Sequence, residues 1–108
     1  MKGFALAALF FIPLIVFGYT SPGKPSGFIN DFAGILKPET VSSLNQKLEQ
    51  FSKDTGNEIV VVTISKLEDE TIETYAEKLF QEWGIGKEKG DNGLLLLISL
   101  EDREMRIE

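Results

Sequence analysis

Apolar residues recur at steps of three and four in two parts of the chain, the spacing that lines one side of an α-helix. The first set is Val41, Leu44, Leu48 and Phe51. Pro38 suits the first turn of such a helix and Gly56 suits the position after its last turn, so the pattern predicts a helix over about 38–54. The second set is Ile72, Tyr75, Ala76, Leu79, Phe80 and Trp83. With Gly84 as its stop, this set predicts a second helix.

Two nearly continuous apolar runs, 58–65 and 93–100, flank the second helix and are typical of strands buried on both faces. Residues 104–108 alternate polar and apolar, which predicts a half-exposed strand in a hairpin with the strand before it. The short apolar stretch 28–36 is broken by polar residues and glycine, and we expect it to cross the domain as a strap. The fold class is therefore α/β: a three-layer α/β/α sandwich whose mixed sheet has a parallel β-α-β pair and an antiparallel C-terminal strand.

The N-terminus has the layout of a secretory signal peptide. Lys2 precedes an apolar run over 4–17, and Val16 and Gly18 place modest or small side chains at positions −3 and −1 of a cut before Tyr19, ahead of a segment rich in proline and glycine. The run is shorter than the about 20 residues that a membrane-spanning helix needs. We therefore predict a signal peptide at 1–18, a linker at 19–27 and one domain at 28–108, exported to the periplasm, cell envelope or exterior. An uncleaved N-terminal anchor is the alternative.

Composition removes several classes of function. The chain has a formal net charge of −6 and contains no cysteine and no histidine. A net negative charge opposes binding to phosphate backbones, so nucleic acid is not an expected partner. Disulfides, zinc sites with cysteine or histidine ligands, and Ser-His-Asp or Cys-His catalysis are all excluded. A bound metal ion would be a hard cation with oxygen ligands.

Acidic residues are expected to gather where the strands end. Carboxyl ends of parallel strands share one edge of a sheet, and ligands collect there. The loop after the first buried strand carries Glu68 and Asp69, and the strap before the first helix brings Asp31 to the same edge. These three carboxylates are the predicted ligands for Ca²⁺ or Mg²⁺. In the alternative interpretation, the acidic residues 68–70 only complement the positive N-terminus of the second helix.

No catalytic group stands out. Ser65 and Ser99 have no visible base beside them, and an Asp-x-Asp pattern after a strand is missing. Gly84, Gly86 and Gly90 follow a helix and precede a strand, the reverse of the dinucleotide-binding order. Catalytic residues and cofactor-binding residues therefore stay unassigned.

Several segments, taken in order, resemble the TPM domain family of thylakoid-lumen, photosystem-repair and bacterial envelope proteins. The segment 31–36 is similar to a D-x-A-G-x-L opening, and 55–63 is similar to T-G-x-E-I-x-V-V-T. The resemblance continues through 75–86, 89–96 and 102–108. TPM domains continue beyond this point with a loop and further helices, so we expect this sequence to be the N-terminal portion of a longer polypeptide.

The resemblance implies an α/β/α sandwich outside the cytoplasm that acts in assembly or maintenance of membrane or envelope complexes. It also implies divalent-cation binding, and acid-phosphatase activity in some members. Our first hypothesis is a non-catalytic, cation-binding module whose partners are membrane-protein or envelope complexes, with a possible membrane tether in the missing C-terminal region. The alternatives are a low-efficiency, metal-dependent acid phosphatase and a structural envelope module without a ligand.

Overall fold

The computed structural model describes residues 19–87, 90 and 92–108. The predicted signal peptide, 1–18, lies outside these residues. The elements, in chain order, are β1 (Ile29–Asp31), α1 (Pro38–Thr55), β2 (Glu58–Ile64), α2 (Ile72–Trp83), β3 (Gly93–Ser99) and β4 (Glu104–Ile107). Within the described part of the chain, no helix is long and apolar enough to cross a membrane.

The four strands form one sheet in the order β1-β2-β3-β4. Strands β1, β2 and β3 run parallel, and β4 is antiparallel to β3. The mixed sheet predicted from the sequence is therefore confirmed. The structure adds β1, because part of the expected strap pairs with β2: Ile29 lies opposite Val61 and Asp31 lies opposite Thr63.

The main hydrophobic core lies between α2 and one face of the sheet. Alternate residues of β2 and β3 point towards α2, whose apolar stripe covers them. Leu79, Val62, Leu95 and Leu97 have no exposed surface. The helix begins at Thr71, whose hydroxyl accepts a hydrogen bond from the backbone N–H of Thr74, and it ends at Gly84 in the left-handed conformation.

Helix α1 covers the opposite face, so the molecule has three layers. Its main contacts with the sheet, among the described residues, are with β1 and β2. The side-chain oxygen of Asn45, on α1, accepts hydrogen bonds from the backbone N–H groups of Phe28 (2.8 Å) and Ile29 (2.9 Å) and so fixes β1 to the helix. On this face of the sheet, the apolar residues of β4, Met105 and Ile107, stay largely exposed.

Candidate functional site

The carboxyl ends of β2 and β3 form one rim, as the parallel order predicts. Backbone N–H groups of Leu100 and Glu101 donate to the carbonyl oxygens of Ile64 (3.0 Å) and Ser65 (2.8 Å), which holds the two following loops side by side. Asp102 reinforces this joint. One of its carboxylate oxygens accepts hydrogen bonds from the Leu67 N–H (2.8 Å) and the Ser99 hydroxyl (2.7 Å).

Those contacts also set the protonation of Asp102. The hydrogen bond from Ser99 lowers the pKa of this carboxyl most, and the Leu67 N–H and the charge of Lys66 lower the pKa further. Asp102 is therefore ionised near neutral pH and works as a clamp between loops. The contact of Asp102 with the Leu67 backbone has no signal in the sequence.

Asp31 ends β1 at the same edge of the sheet, where it closes the turn that leads to α1. Its carboxylate accepts hydrogen bonds from the Thr63 hydroxyl (2.6 Å) and from the N–H groups of Ile35 (3.1 Å) and Leu36 (2.9 Å). Thr63 Oγ1 in turn accepts from the Ala33 N–H (3.1 Å). Burial alone would raise the pKa of Asp31, but the Thr63 and backbone hydrogen bonds outweigh it and lower the pKa.

The other two predicted metal ligands lie in the loop after β2, and both are exposed. Glu68 has a positive φ of 63°, and its carboxylate lies 4.0 Å from the Lys66 ammonium. Among residues 19–87, 90 and 92–108, no group of three acidic side chains is close enough to hold a metal ion together. The structure thus places Asp31, Glu68 and Asp69 on the expected side of the sheet without gathering them around one point.

A cleft of about 390 Å³ opens beside this rim, between the loop after β2 and the N-terminal segment. Its lining includes Ser65, Lys66 and Glu68 from the loop, with Phe32 and Tyr75 as aromatic walls. The cleft therefore combines an amine, a hydroxyl and a carboxylate with apolar surface. Sequence reasoning did not find it, because one wall is built by a segment interpreted as a linker.

Residues 19–23 lie against α2. We call this segment the N-terminal strap; it precedes the strap predicted over 28–36 and is separate from it. The Tyr75 hydroxyl donates to the Thr20 carbonyl oxygen (3.1 Å), and the Trp83 indole N–H donates to the Gly23 carbonyl oxygen (3.0 Å). The ring of Tyr19 packs edge-on against Tyr75, with centroids 5.0 Å apart, and its hydroxyl donates to Glu82. Two side chains that the sequence assigned to core packing thus also bind backbone carbonyls.

Both tyrosine hydroxyls are held in the protonated state. Burial, and then the negative charge of Glu82, raise the pKa of Tyr75 to about 12. Burial and the hydrogen bond to Glu82 raise the pKa of Tyr19 well above its ordinary value. Neither phenol therefore ionises near neutral pH, and both serve as hydrogen-bond donors.

Beyond α1, an apolar surface covers β3 and β4. We call it the open face; it is formed by Leu94, Leu96, Ile98, Met105 and Ile107, which share one side of the sheet by register. Exposure rises towards the edge of the sheet, from 37% at Leu94 to 67% at Met105 and 64% at Ile107. Such a contiguous apolar surface is typical of an interaction site.

The described part of the chain does not assemble a hydrolytic centre around its serines. The Ser99 hydroxyl donates to Asp102, which is occupied by the Leu67 N–H, and Ser65 lines the cleft beside Lys66. Gly86, before β3, lies in close backbone contact with Gly93. A Cβ at Gly86 would lie 2.6 Å from the backbone nitrogen of Gly93.

Comparisons with known proteins agree with this architecture. The family model described as "TPM domain" matches residues 29–108. A solution NMR structure of the N-terminal domain of a protein from P. gingivalis is similar, with 34% sequence identity and a TM-score of 0.68. The match covers 75% of this chain and 52% of that chain, so this chain spans about half the length of the solved domain. No curated protein matches it.

Proposed function

Because this chain belongs to the TPM family, we propose that it is a non-catalytic binding module that acts outside the cytoplasm in the assembly or maintenance of membrane or envelope protein complexes. The predicted signal peptide over 1–18 supports the location. The acidic net charge of −6 is unsuited to nucleic-acid partners and suits proteins with basic surfaces.

The observation that carries this proposal is the open face. Its outer residues, Met105 and Ile107, are about two-thirds exposed on a regular strand, where apolar side chains normally pack against another layer. Neighbouring strands lie about 4.8 Å apart, so β3 and β4 leave a strip about 10 Å wide beside α1. One α-helix, about 10 Å across, fits that width.

The occupant we propose is an amphipathic helix of a partner protein in the complex. Its apolar side would cover the open face, and basic residues on its polar side would complement the acidic chain. This arrangement would complete the layer that α1 begins. The contact would be dominated by a few large apolar side chains, which is the usual distribution of energy in protein interfaces.

Site-specific photo-crosslinking tests this contact in the envelope fraction of cells that produce the full protein. A photoreactive residue at Met105 or Ile107 should give adducts with a helical segment of another protein, whereas one at Glu73, exposed on α2, should not. Met105→Asp should in addition shift the complex to lower mass in native electrophoresis. Adducts confined to this chain, or adducts equally strong from Glu73, would refute the proposed partner.

A divalent cation at the rim is the second candidate function. It is favoured by the joint between the loops after β2 and β3, because that joint places Asp102 next to the loop that carries Glu68 and Asp69. Carboxylates held in neighbouring loops repel one another unless a cation lies between them. Flexible loops with several oxygen atoms suit Ca²⁺ better than Mg²⁺, which requires stricter geometry.

Calorimetric titration with Ca²⁺ and Mg²⁺ tests the cation. Binding heat should disappear in the double variant Glu68→Gln, Asp69→Asn and persist in the double variant Glu49→Gln, Asp54→Asn, which removes the same number of charges from α1. Heat that survives the double variant would exclude these ligands, and no heat in the unchanged chain would exclude the site. Hydrolysis of a phosphomonoester, measured on the same samples, tests the phosphatase alternative; we expect no turnover.

A further inference from the structure

The N-terminal strap directly follows the predicted signal cleavage site. The sequence places that cut between Gly18 and Tyr19, so Tyr19 and Thr20 are the first two residues on the C-terminal side of the bond. A protease acts on segments that are exposed and locally unfolded, because its active site must reach the backbone on both sides of the bond. The state of Tyr19 and Thr20 therefore decides whether a signal peptidase can cut the chain.

Both of these residues are bound to α2 in the folded chain. The ring of Tyr19 packs edge-on against Tyr75, and the Tyr75 hydroxyl donates a hydrogen bond to the Thr20 carbonyl oxygen at 3.1 Å. The carboxylate of Glu82 accepts hydrogen bonds from the hydroxyl of Tyr19 and from that of Ser21, the latter at 2.9 Å. These contacts must break before an active site can hold the two residues in an extended form.

The attachment of the strap is weaker than the packing of the sheet. Residues 19–23 form neither helix nor strand, and α2 holds them through side chains. The hydrogen bonds to Glu82 and the bond from the Trp83 indole to the Gly23 carbonyl oxygen are exposed to solvent, whereas the bond from Tyr75 is partly buried. Segments with few buried contacts and solvent-exposed hydrogen bonds open locally at a much lower free energy than the whole molecule. The docked strap therefore hinders a protease without excluding it.

We propose that docking of the strap on α2 slows signal cleavage between Gly18 and Tyr19, so that the order of folding and cleavage determines whether the protein is released or stays tethered. Chains that are cut before α2 forms lose the apolar run over 4–17 and are released. Chains that fold first keep this run as an N-terminal anchor. The cut is a hydrolysis catalysed by the signal peptidase of the cell: water adds across the peptide bond, which leaves a carboxylate on Gly18 and a free α-amino group on Tyr19.

The hydrogen bond from Tyr75 sets the expected size of the effect. When a segment opens and closes faster than a protease cuts it, the cleavage rate follows the fraction of chains in which the segment is open. Tyr75→Phe keeps the ring against Tyr19 and removes the bond to Thr20, which should raise the open fraction about fivefold. Glu82→Ala removes the acceptor of two hydroxyls and should act in the same direction. Both changes lie on α2, so the sequence around the cut stays the same.

Cleavage of the folded precursor tests the proposal. The full chain is synthesised without membranes, folded in detergent micelles and mixed with a purified signal peptidase, and mass spectrometry follows the product that begins at Tyr19. We expect Tyr75→Phe and Glu82→Ala to be cut faster than the unchanged chain. Glu77→Ala, which removes a carboxylate from an exposed position of the same helix, should be cut at the unchanged rate. Circular dichroism confirms that each variant is folded. Equal rates in all four chains, or the same acceleration in Glu77→Ala, would refute the proposal.

This inference rests on the signal peptide that supports the location in the proposed function, and fractionation of cells separates the two failures. In cells we expect tethered and released forms in the envelope, with Tyr75→Phe shifting the ratio towards the released form. Envelope protein with the same ratio in both chains would remove the role of the strap and leave the proposed location standing. Protein that stays in the cytoplasm, with no product beginning at Tyr19, would remove both. A product that begins at another residue would place the cut elsewhere and refute the inference alone.

Discussion

At the scale of single residues, the carboxylate of Asp31 accepts hydrogen bonds from the Thr63 hydroxyl and from the N–H groups of Ile35 and Leu36. These donors come from β2 and from the turn before α1, so one side chain joins an edge strand to the chain that follows it. The sequence pattern marks Asp31 as an acid at the rim, and the contacts give it a structural task in the turn.

Removing the hydroxyl donor should weaken this turn. Thr63→Val keeps the volume of the side chain and leaves Asp31 without its shortest hydrogen bond. We expect the free energy of unfolding to fall by about 1–2 kcal/mol, as for a buried hydrogen bond with a charged acceptor. Urea denaturation at neutral pH measures the change. Thr40→Val, at an exposed position of α1, is the control; an equal loss there would contradict a special role for Thr63.

The lowered pKa of Asp31 also predicts how stability depends on pH. A carboxyl with a lower pKa in the folded state than in the unfolded state binds its proton less tightly when folded. Its contribution is complete above the unfolded pKa of about 3.9 and is lost as pH falls through the folded pKa. Acid denaturation of Asp31→Asn should therefore be less steep below about pH 4 than that of the unchanged chain. Identical slopes would contradict the prediction.

Gly86 and Gly34 both have positive φ. Alanine substitutions at the two positions separate the cost of close backbone packing from the cost of backbone strain. At Gly86 (φ 81°) a Cβ would meet the backbone of Gly93 at 2.6 Å, whereas at Gly34 (φ 69°) it would meet nothing within 4 Å. Gly34→Ala should cost about 1 kcal/mol from strain alone. Gly86→Ala should cost clearly more, about 2–4 kcal/mol, because neither backbone segment can move aside easily. Equal costs in thermal unfolding would show that contact at Gly86 is unimportant.

At the scale of elements, the sequence predicts the long elements well and the short ones poorly. The stripes of α1 and α2 and the runs of β2 and β3 each extend over many residues, so their periods are unambiguous. Strand β1 has only three residues, two of them Asn30 and Asp31, and its pairing depends on Asn45 of α1 and on β2. A strand this short is defined by contacts with distant segments, and its local sequence pattern does not predict it.

The N-terminal strap is a second element without a sequence signal. Proline and glycine at 19–27 suggest a linker, but residues 19–23 are bound by side chains of α2. Tyr75 and Trp83 donate to strap carbonyls that lie more than fifty residues away in sequence. Apolar stripes report which side of a helix is buried and give no information about which segment lies at its rim.

Tyr75→Phe tests the attachment of the strap. The change removes the hydrogen bond to the Thr20 carbonyl oxygen and keeps the ring packing, so we expect a loss of about 1 kcal/mol. Hydrogen exchange should accelerate at strap amides, while the amides of β2 stay protected. Tyr19→Phe, which loses a bond to the exposed carboxylate of Glu82, is the control and should change stability less. Unchanged exchange in Tyr75→Phe would mean that ring packing alone holds the strap.

Alkaline titration of the same tyrosine gives a further check. The pKa of Tyr75 is raised to about 12, so the folded state holds its proton more tightly than the unfolded state. This contribution to stability is complete below the unfolded pKa of about 10 and is lost as pH rises through about 12. Ultraviolet absorbance of the unchanged chain, which has two tyrosines, should therefore show no tyrosinate step at pH 10. A step there would contradict the burial of both rings.

At the scale of the whole molecule, the two faces of the sheet are unequal in how much apolar surface a helix buries. The face under α2 contains nearly all fully buried apolar residues, whereas α1 packs mainly against β1 and β2 on the other face. The stability of the chain therefore depends on one side, and the other side offers apolar surface for contacts. The alternation at 104–108 predicts a half-exposed strand from the sequence. The area of the sheet that α1 covers depends on where the helix packs on the sheet, which the sequence pattern does not show.

This inequality predicts opposite results for substitutions on the two sides. The double variant Met105→Ser, Ile107→Thr should change the free energy of unfolding by less than about 1 kcal/mol, since both side chains are mostly exposed. It should also bind less of the dye ANS, because it removes the outer half of the open face. Leu97→Ala, on the buried side, should cost about 2–5 kcal/mol through the cavity that it leaves. If the double variant were as damaging as Leu97→Ala, Met105 and Ile107 would belong to the core, and the open face would not be available to a partner.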